Sequence, residues 1–292
     1  MDFDDRIARA WQAHSSDPAG VAAGLLEAGT ADAVDARRIG ALARLGHHVL
    51  GEHLGRWAEG HAWIERLLAL PACDAATAAA LRGLGASLLL ARGSGDPRPT
   101  LAPGERVRVA ALAAAALAPH DAPRALALLQ DALAEAPTLA DSDPAQRAVA
   151  VAANNLACTL EDRRPRSAAE RELMLAAAQA ARRHWALAGG WLEVERAEYR
   201  LASIWLAAGD AVAALRHAER CLQTVVDHEG PAFERFHAWI IVGRAAHAAG
   251  RGERHGQART GARLAWEALS ADDRAGTRAE LDSLDALDAP GA

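Results

Sequence analysis

Apolar residues recur at helical spacing along almost the whole chain, and this periodicity is what most constrains the fold. The runs are broken only by short Gly, Pro or Asp signals, mostly about two to six residues long. The pattern predicts about fourteen helices, the first over 3–14, the third over 32–51 and the last over 272–287. Connections this short force successive helices to lie antiparallel. Ala and Leu dominate while Ile, Val, Phe, Tyr and Thr are scarce, so helix formers far outweigh strand formers and the class is all-α. The one long interruption, 93–104, holds three prolines and three glycines. It reads as an exposed loop or a seam between hairpins over 1–92 and an array over 105–292, unless the two form one continuous solenoid.

Charge and residue choice then narrow the function. A net charge of −6 opposes a general nucleic-acid binder, which needs excess positive charge against phosphates. No apolar run reaches the roughly 18 residues of a membrane span. The acidic start, Met1-Asp2-Phe3-Asp4-Asp5, lacks the basic region of a secretory signal, so the cytoplasm is the default location. Cys73, Cys158 and Cys221 lie far apart among helix-patterned apolar residues and read as buried small hydrophobes in a reducing compartment. All 32 basic residues are arginine, a bias expected of a GC-rich bacterial genome. With no lysine, a Walker-type phosphate loop, Schiff-base catalysis and the kinase lysine are excluded. Gly85-Ala86-Ser87 lacks the final glycine of a nucleophile elbow and sits mid-helix, so no enzyme and no cofactor are expected.

Internal repetition follows. Gly55-Arg56-Trp57 leads into a helix ending Leu67-Leu68, then Pro71. Residues 106–139 carry Leu112-Ala113, His120-Asp121-Ala122, Ala125, Leu129, Ala132-Leu133 and Pro137. Residues 195–228 repeat the scheme with Leu201-Ala202, Trp205, Gly209-Asp210-Ala211, Ala214, Ala218 and Cys221-Leu222. Trp239, Val242-Gly243, Ala246 and Gly250-Arg251 begin another unit, and Asn154-Asn155-Leu156-Ala157 is a further first-helix string. These strings resemble tetratricopeptide repeats over most of 32–270. The resemblance is specific for 106–139 and 195–228 and weaker elsewhere, and the loop 93–104 departs from it. The N-terminal half also resembles helical arrays attached to bacterial ATPase-type transcriptional regulators. Small residues where helices cross let neighbouring pairs close up, and each hairpin buries its apolar stripe on the next. The charged helix 272–287 then serves as a C-terminal cap.

Three groups of residues could carry chemistry. In His47-His48-Val49-Leu50-Gly51-Glu52-His53, His48 and Glu52 are four apart and share a helix face. His53, five from His48, is expected to point elsewhere, with His61 able to join only from the next helix. The cluster therefore reads as polar faces of a packed hairpin, with no metal site. The corner from His184 to Arg200 places Trp185 and Trp191 around Gly189-Gly190, as candidate contact residues. Glu195 and Glu198 could form a carboxylate pair there, but Arg196 and Arg200 alongside point to an ordinary ion-pair network. Trp57, Trp63, Trp205, Trp239 and Trp266 fall on core positions.

The tetratricopeptide resemblance implies a concave groove lined by first helices, where extended peptides bind. Carried over residue by residue, the inward positions are Asn154, then Arg196, Tyr199, Arg200 and Ser203, then His237, Arg244 and His247. The equivalent face near 107–114 is Val107, Ala110, Ala111 and Ala114, small and apolar. An arginine-lined groove suits the carboxylates of an acidic partner peptide. The expected function is a protein-binding scaffold or adaptor whose partner and oligomeric state the sequence leaves open. The alternative is a small-molecule or metal-binding protein, or a cryptic enzyme, using His47, His48 and Glu52 or the corner at 185–200.

Overall fold

The computed structural model describes residues 2–287, and among them the chain is all-α, with fourteen α-helices and no strand. None of these helices is long and apolar enough to cross a membrane. By contacts the chain divides into two units, Met1–Leu173 and Met174–Ala292.

The first unit holds α1 (Phe3–Ala13), α2 (Pro18–Ala28), α3 (Ala36–Gly46), α4 (Trp57–Leu68), α5 (Ala75–Arg92), α6 (Pro103–Leu117), α7 (Ala122–Glu135) and α8 (Pro144–Asp162). The unit boundary falls within α9 (Ala168–Ala188). Aspartates punctuate these helices, as the sequence pattern implies. Asp17, Asp35, Asp74 and Asp121 each accept the backbone N–H three residues on, which satisfies a donor the helix start would otherwise leave bare. From α1 to α7 each helix packs on the next, and α8 packs back on α6, giving a helical-repeat-like arrangement. Helix α6 is the centre of this unit: α5, α7 and α8 all pack on it, and nine of its residues are buried. The 93–104 loop joins α5 to α6 inside this unit, and Arg98 anchors it by pairing with Asp96 (2.8 Å) and Asp131 (2.7 Å).

One element departs from the expected pattern. The helix expected over 32–51 is α-helical only to Gly46, and His47–His53 is a π-helix. Its wider turn returns Leu54 N–H to Val49 O at 3.1 Å, five residues back, in place of the α-helical four. Two glycines permit the close packing here: a Cβ at Gly46 would lie 2.4 Å from the Trp63 indole, and one at Gly51 would lie 2.6 Å from a Leu88 methyl. The Trp57 indole N–H donates to Gly51 O (3.1 Å) and Ala116 O (3.3 Å), tying this π-turn to the end of α6.

The second unit continues through α10 (Trp191–Ala208), α11 (Ala211–Asp227), α12 (Ala232–Ala248), α13 (Gly252–Glu267) and α14 (Ala271–Ala286). Helices α10, α11 and α12 share one core, built on Ala202, Ala218, Leu222, Ile241 and Val242. Phe236 and Ile240 of α12 meet Ala262 of α13 and Leu281 and Leu284 of α14 in another. Helix α14 therefore covers the last hairpin with two leucines while most of its remaining surface is exposed. His255 is buried and faces Gly243 O at 2.8 Å, so a polar ring fills space on a small-residue surface by bonding its backbone. No disulfide joins the three cysteines among the described residues; Cys221 is buried, whereas Cys73 and Cys158 are only half-buried.

Candidate functional site

The π-turn reorganises the histidine cluster. In an α-helix five residues subtend about 500°, which would carry His53 well off the face of His48. The π-turn instead brings His53 Nε2 to 3.1 Å from His48 Nε2, correcting the expectation that His53 points elsewhere. His14, at the end of α1, joins them: its ring centroid lies 4.9 Å from that of His48 and 5.3 Å from that of His53. Nothing in the local spacing of 47–53 points to His14, because the contact is made by tertiary packing. His61 stands outside this group and rests against Gly85 of α5.

Donor accounting fixes which ring nitrogens are engaged. Glu52 accepts from His48 Nδ1 at 2.7 Å, and His47 Nδ1 lies 3.4 Å from its other oxygen. Burial alone would raise the Glu52 carboxyl, but these two imidazoles outweigh it and hold the group down to about 2. As an ionised carboxylate is acceptor-only, His48 must donate through Nδ1. His47 Nε2 also meets Ser87 Oγ at 2.9 Å, and Ser87 gives its own hydrogen to Leu84 O at 2.7 Å. His14 Nδ1 donates to Trp11 O. Burial, then the nearby His48 and His14, push His53 down to about 4, so it is neutral at pH 7.

Trp11, His47, His48 and Glu52 also line an open cleft of about 1070 Å³ in the first unit. Its walls come from α3 (Arg37, Arg44), α5 (Leu81, Leu84), α6 (Arg108, Leu112) and α8 (Val151, Asn155). This corrects the helix register expected from the repeat resemblance. Val107, Ala110, Ala111 and Ala114 are buried in the core, and Glu105, Arg108 and Leu112 of α6 face the cleft instead. On α8 the cleft is lined by Asn155, and Asn154 is not among its lining residues. A one-residue shift rotates a helix by about 100°, so it exchanges one face for another. Among the described residues, neither the Arg44 nor the Arg108 guanidinium has a hydrogen-bonded or ion-paired partner. Burial lowers the Arg108 pKa against the opposing pull of Glu105.

The second unit holds the remaining expected positions. Arg196 is exposed but pairs with Glu234 at 2.5 Å. His237 pairs with Glu280 at 3.2 Å and makes edge contacts with Tyr199, Phe233 and Phe236. Tyr199, Arg200, Ser203 and Arg244 are half-buried, and His247 is exposed with its ring against His255. Trp185 and Trp191 are half-buried, as Trp57, Trp205, Trp239 and Trp266 are, while Trp63 is fully buried. Trp191 stacks on His228 at 5.1 Å.

The carboxylates of this unit do form a network, and its strongest bonds reach beyond the arginines beside them in sequence. Glu198 bonds Arg182 and His217, each at 2.6 Å; burial raises its pKa, but these two partners outweigh that and lower it overall. Among the described residues Glu195 receives only the Cys221 thiol, at 2.9 Å, and burial drives its carboxyl up to about 7. The same burial, followed by the charge of Glu195, pushes the Cys221 thiol far up. Such a split suits acid–base chemistry, yet Glu195 and Glu198 are each only 1% exposed. Against known protein families and curated proteins, the chain matches none.

Proposed function

We propose that the protein is a non-catalytic, cytoplasmic adaptor of the tetratricopeptide-like type, holding an acidic segment of a partner protein in the cleft of its first unit. The observation that carries this reading is Arg108, a partly desolvated guanidinium on the cleft wall with no partner of its own among the described residues. A desolvated cation gains most from a carboxylate that arrives with its charge, and guanidinium binds carboxylate through two parallel hydrogen bonds. Arg44 offers a second such group on another wall. Between them Trp11, Leu112 and Val151 provide apolar surface for the side chains of an extended peptide. The cleft volume lies at the upper edge of what small molecules fill, which favours a polymer segment over a metabolite.

Selection of random displayed peptides on the full chain tests this. Binders should be enriched in Asp and Glu, and an Arg44→Glu, Arg108→Glu double variant should lose them by about 10-fold or more. Arg196→Glu, in the second unit, should retain them. Peptides without acidic enrichment, or equal binding by the double variant, sink the proposal.

A further inference from the structure

We infer that His14, His48 and His53 form a binding site for one divalent transition-metal ion of the zinc type, each histidine acting through Nε2. The three residues each offer a nitrogen, and the three atoms lie within 4.8 Å of one another. His48 and His53 already hold theirs 3.1 Å apart. With zinc–nitrogen bonds of about 2.0–2.1 Å, tetrahedral ligands stand about 3.3 Å apart. His14 then needs a shift of about 1.5 Å at most to reach that spacing. It sits at the C-cap of α1, where a ring can move without unwinding a helix.

The surroundings match what metal-binding imidazoles require. A ligating histidine usually donates its other ring N–H to a carboxylate or backbone carbonyl, which fixes its tautomer and turns its lone pair toward the ion. His48 does so to Glu52, and His14 does so to Trp11 O. Three nitrogens without a thiolate or a set of carboxylates favour zinc, copper, nickel or cobalt over magnesium or calcium. Water or an incoming ligand takes the fourth position. Ser15 Oγ, 3.2 Å from His14 Nε2, belongs to an exposed residue and can rotate aside. The ion would also clip α1 to the π-turn. Phe3 is the one buried residue of α1, and the ion pairs Arg6–Asp32 and Arg37–Asp4 hold the start of the helix, so the ion would fasten its other end.

The test titrates Zn²⁺ alone into the full chain after chelator treatment, followed by calorimetry, with no peptide present; it is therefore independent of cleft binding. One ion per chain is expected. His14→Ala, His48→Ala and His53→Ala should each weaken binding by about 100-fold, and Glu52→Gln by about 10-fold. His247→Ala, an exposed histidine of the second unit, should leave it unchanged. His14→Ala is the decisive variant because it leaves the π-turn intact, and far-UV circular dichroism checks that each variant is folded. Cobalt(II) should give the intense visible band of a four-coordinate ion in the wild type, lost in His14→Ala. No stoichiometric zinc uptake, or equal affinity in wild type and the three alanine variants, overturns the assignment.

Discussion

Glu52 in the first unit and Glu195 in the second are both withdrawn from water, yet their carboxyls move in opposite directions, to about 2 and about 7. The difference lies in the donors. Glu52 faces two imidazoles beside an open cleft, whereas Glu195 meets one weak thiol donor in a sealed core. Glu198, three residues from Glu195 on the same helix, behaves like Glu52 because it has a guanidinium and an imidazole. Burial sets the cost of charge, and hydrogen-bond supply decides whether charge survives it. The polar cluster of the first unit borders an open cleft, and that of the second is sealed in the core.

The largest way to break this comparison is Glu198→Ala. It strands Arg182 and His217 beside a core and should cost about 3–5 kcal/mol in urea unfolding; a cost below about 1 kcal/mol would make the network ornamental. Glu195→Gln comes next and has the opposite sign. The folded carboxyl titrates at about 7 against a reference of 4.5, so the native state is penalised increasingly as pH rises from 4.5 to about 7. The Gln variant should therefore be more stable than wild type by about 2–3 kcal/mol at pH 8 and equal to it at pH 4. Identical pH profiles for the two proteins would show that Glu195 is not held protonated.

A smaller effect is expected in the first unit from Gly46→Ala, whose methyl would collide with the Trp63 ring and should cost about 1–3 kcal/mol. Thermal melts with zinc present and absent then show whether the loss spreads to the histidine site. The smallest stability change belongs to Arg108→Glu, within about 0.5 kcal/mol in the same unfolding assay, although peptide binding should fall sharply. A large loss of stability there would reassign Arg108 from ligand binding to the architecture.

How much of this was legible depends on how local the cause is. Helix starts were readable because Asp17, Asp35, Asp74 and Asp121 cap through their own side chains, within three residues. The all-α class followed from composition and period. The π-turn was not readable, since His47–His53 carries no proline and the lone Gly51 does not by itself force it. Its glycines acquire meaning only once Trp63 and Leu88 pack over them. The cleft walls failed for a related reason. Repeat resemblance placed Val107 inward, whereas the true register exposes Arg108, and on an alanine-rich helix several faces look equally apolar. His14 could be found only by knowing where α1 docks.

The π-helix at His47–His53 fits one more residue into a turn than an α-helix does. Removing a single residue from this stretch would let it wind as an ordinary α-helix while α3 and α4 kept their neighbours. The three imidazoles would then disperse. A one-codon deletion would thus separate the site's existence from that of the scaffold, and lineages carrying the same helices could gain or lose it without rebuilding the core.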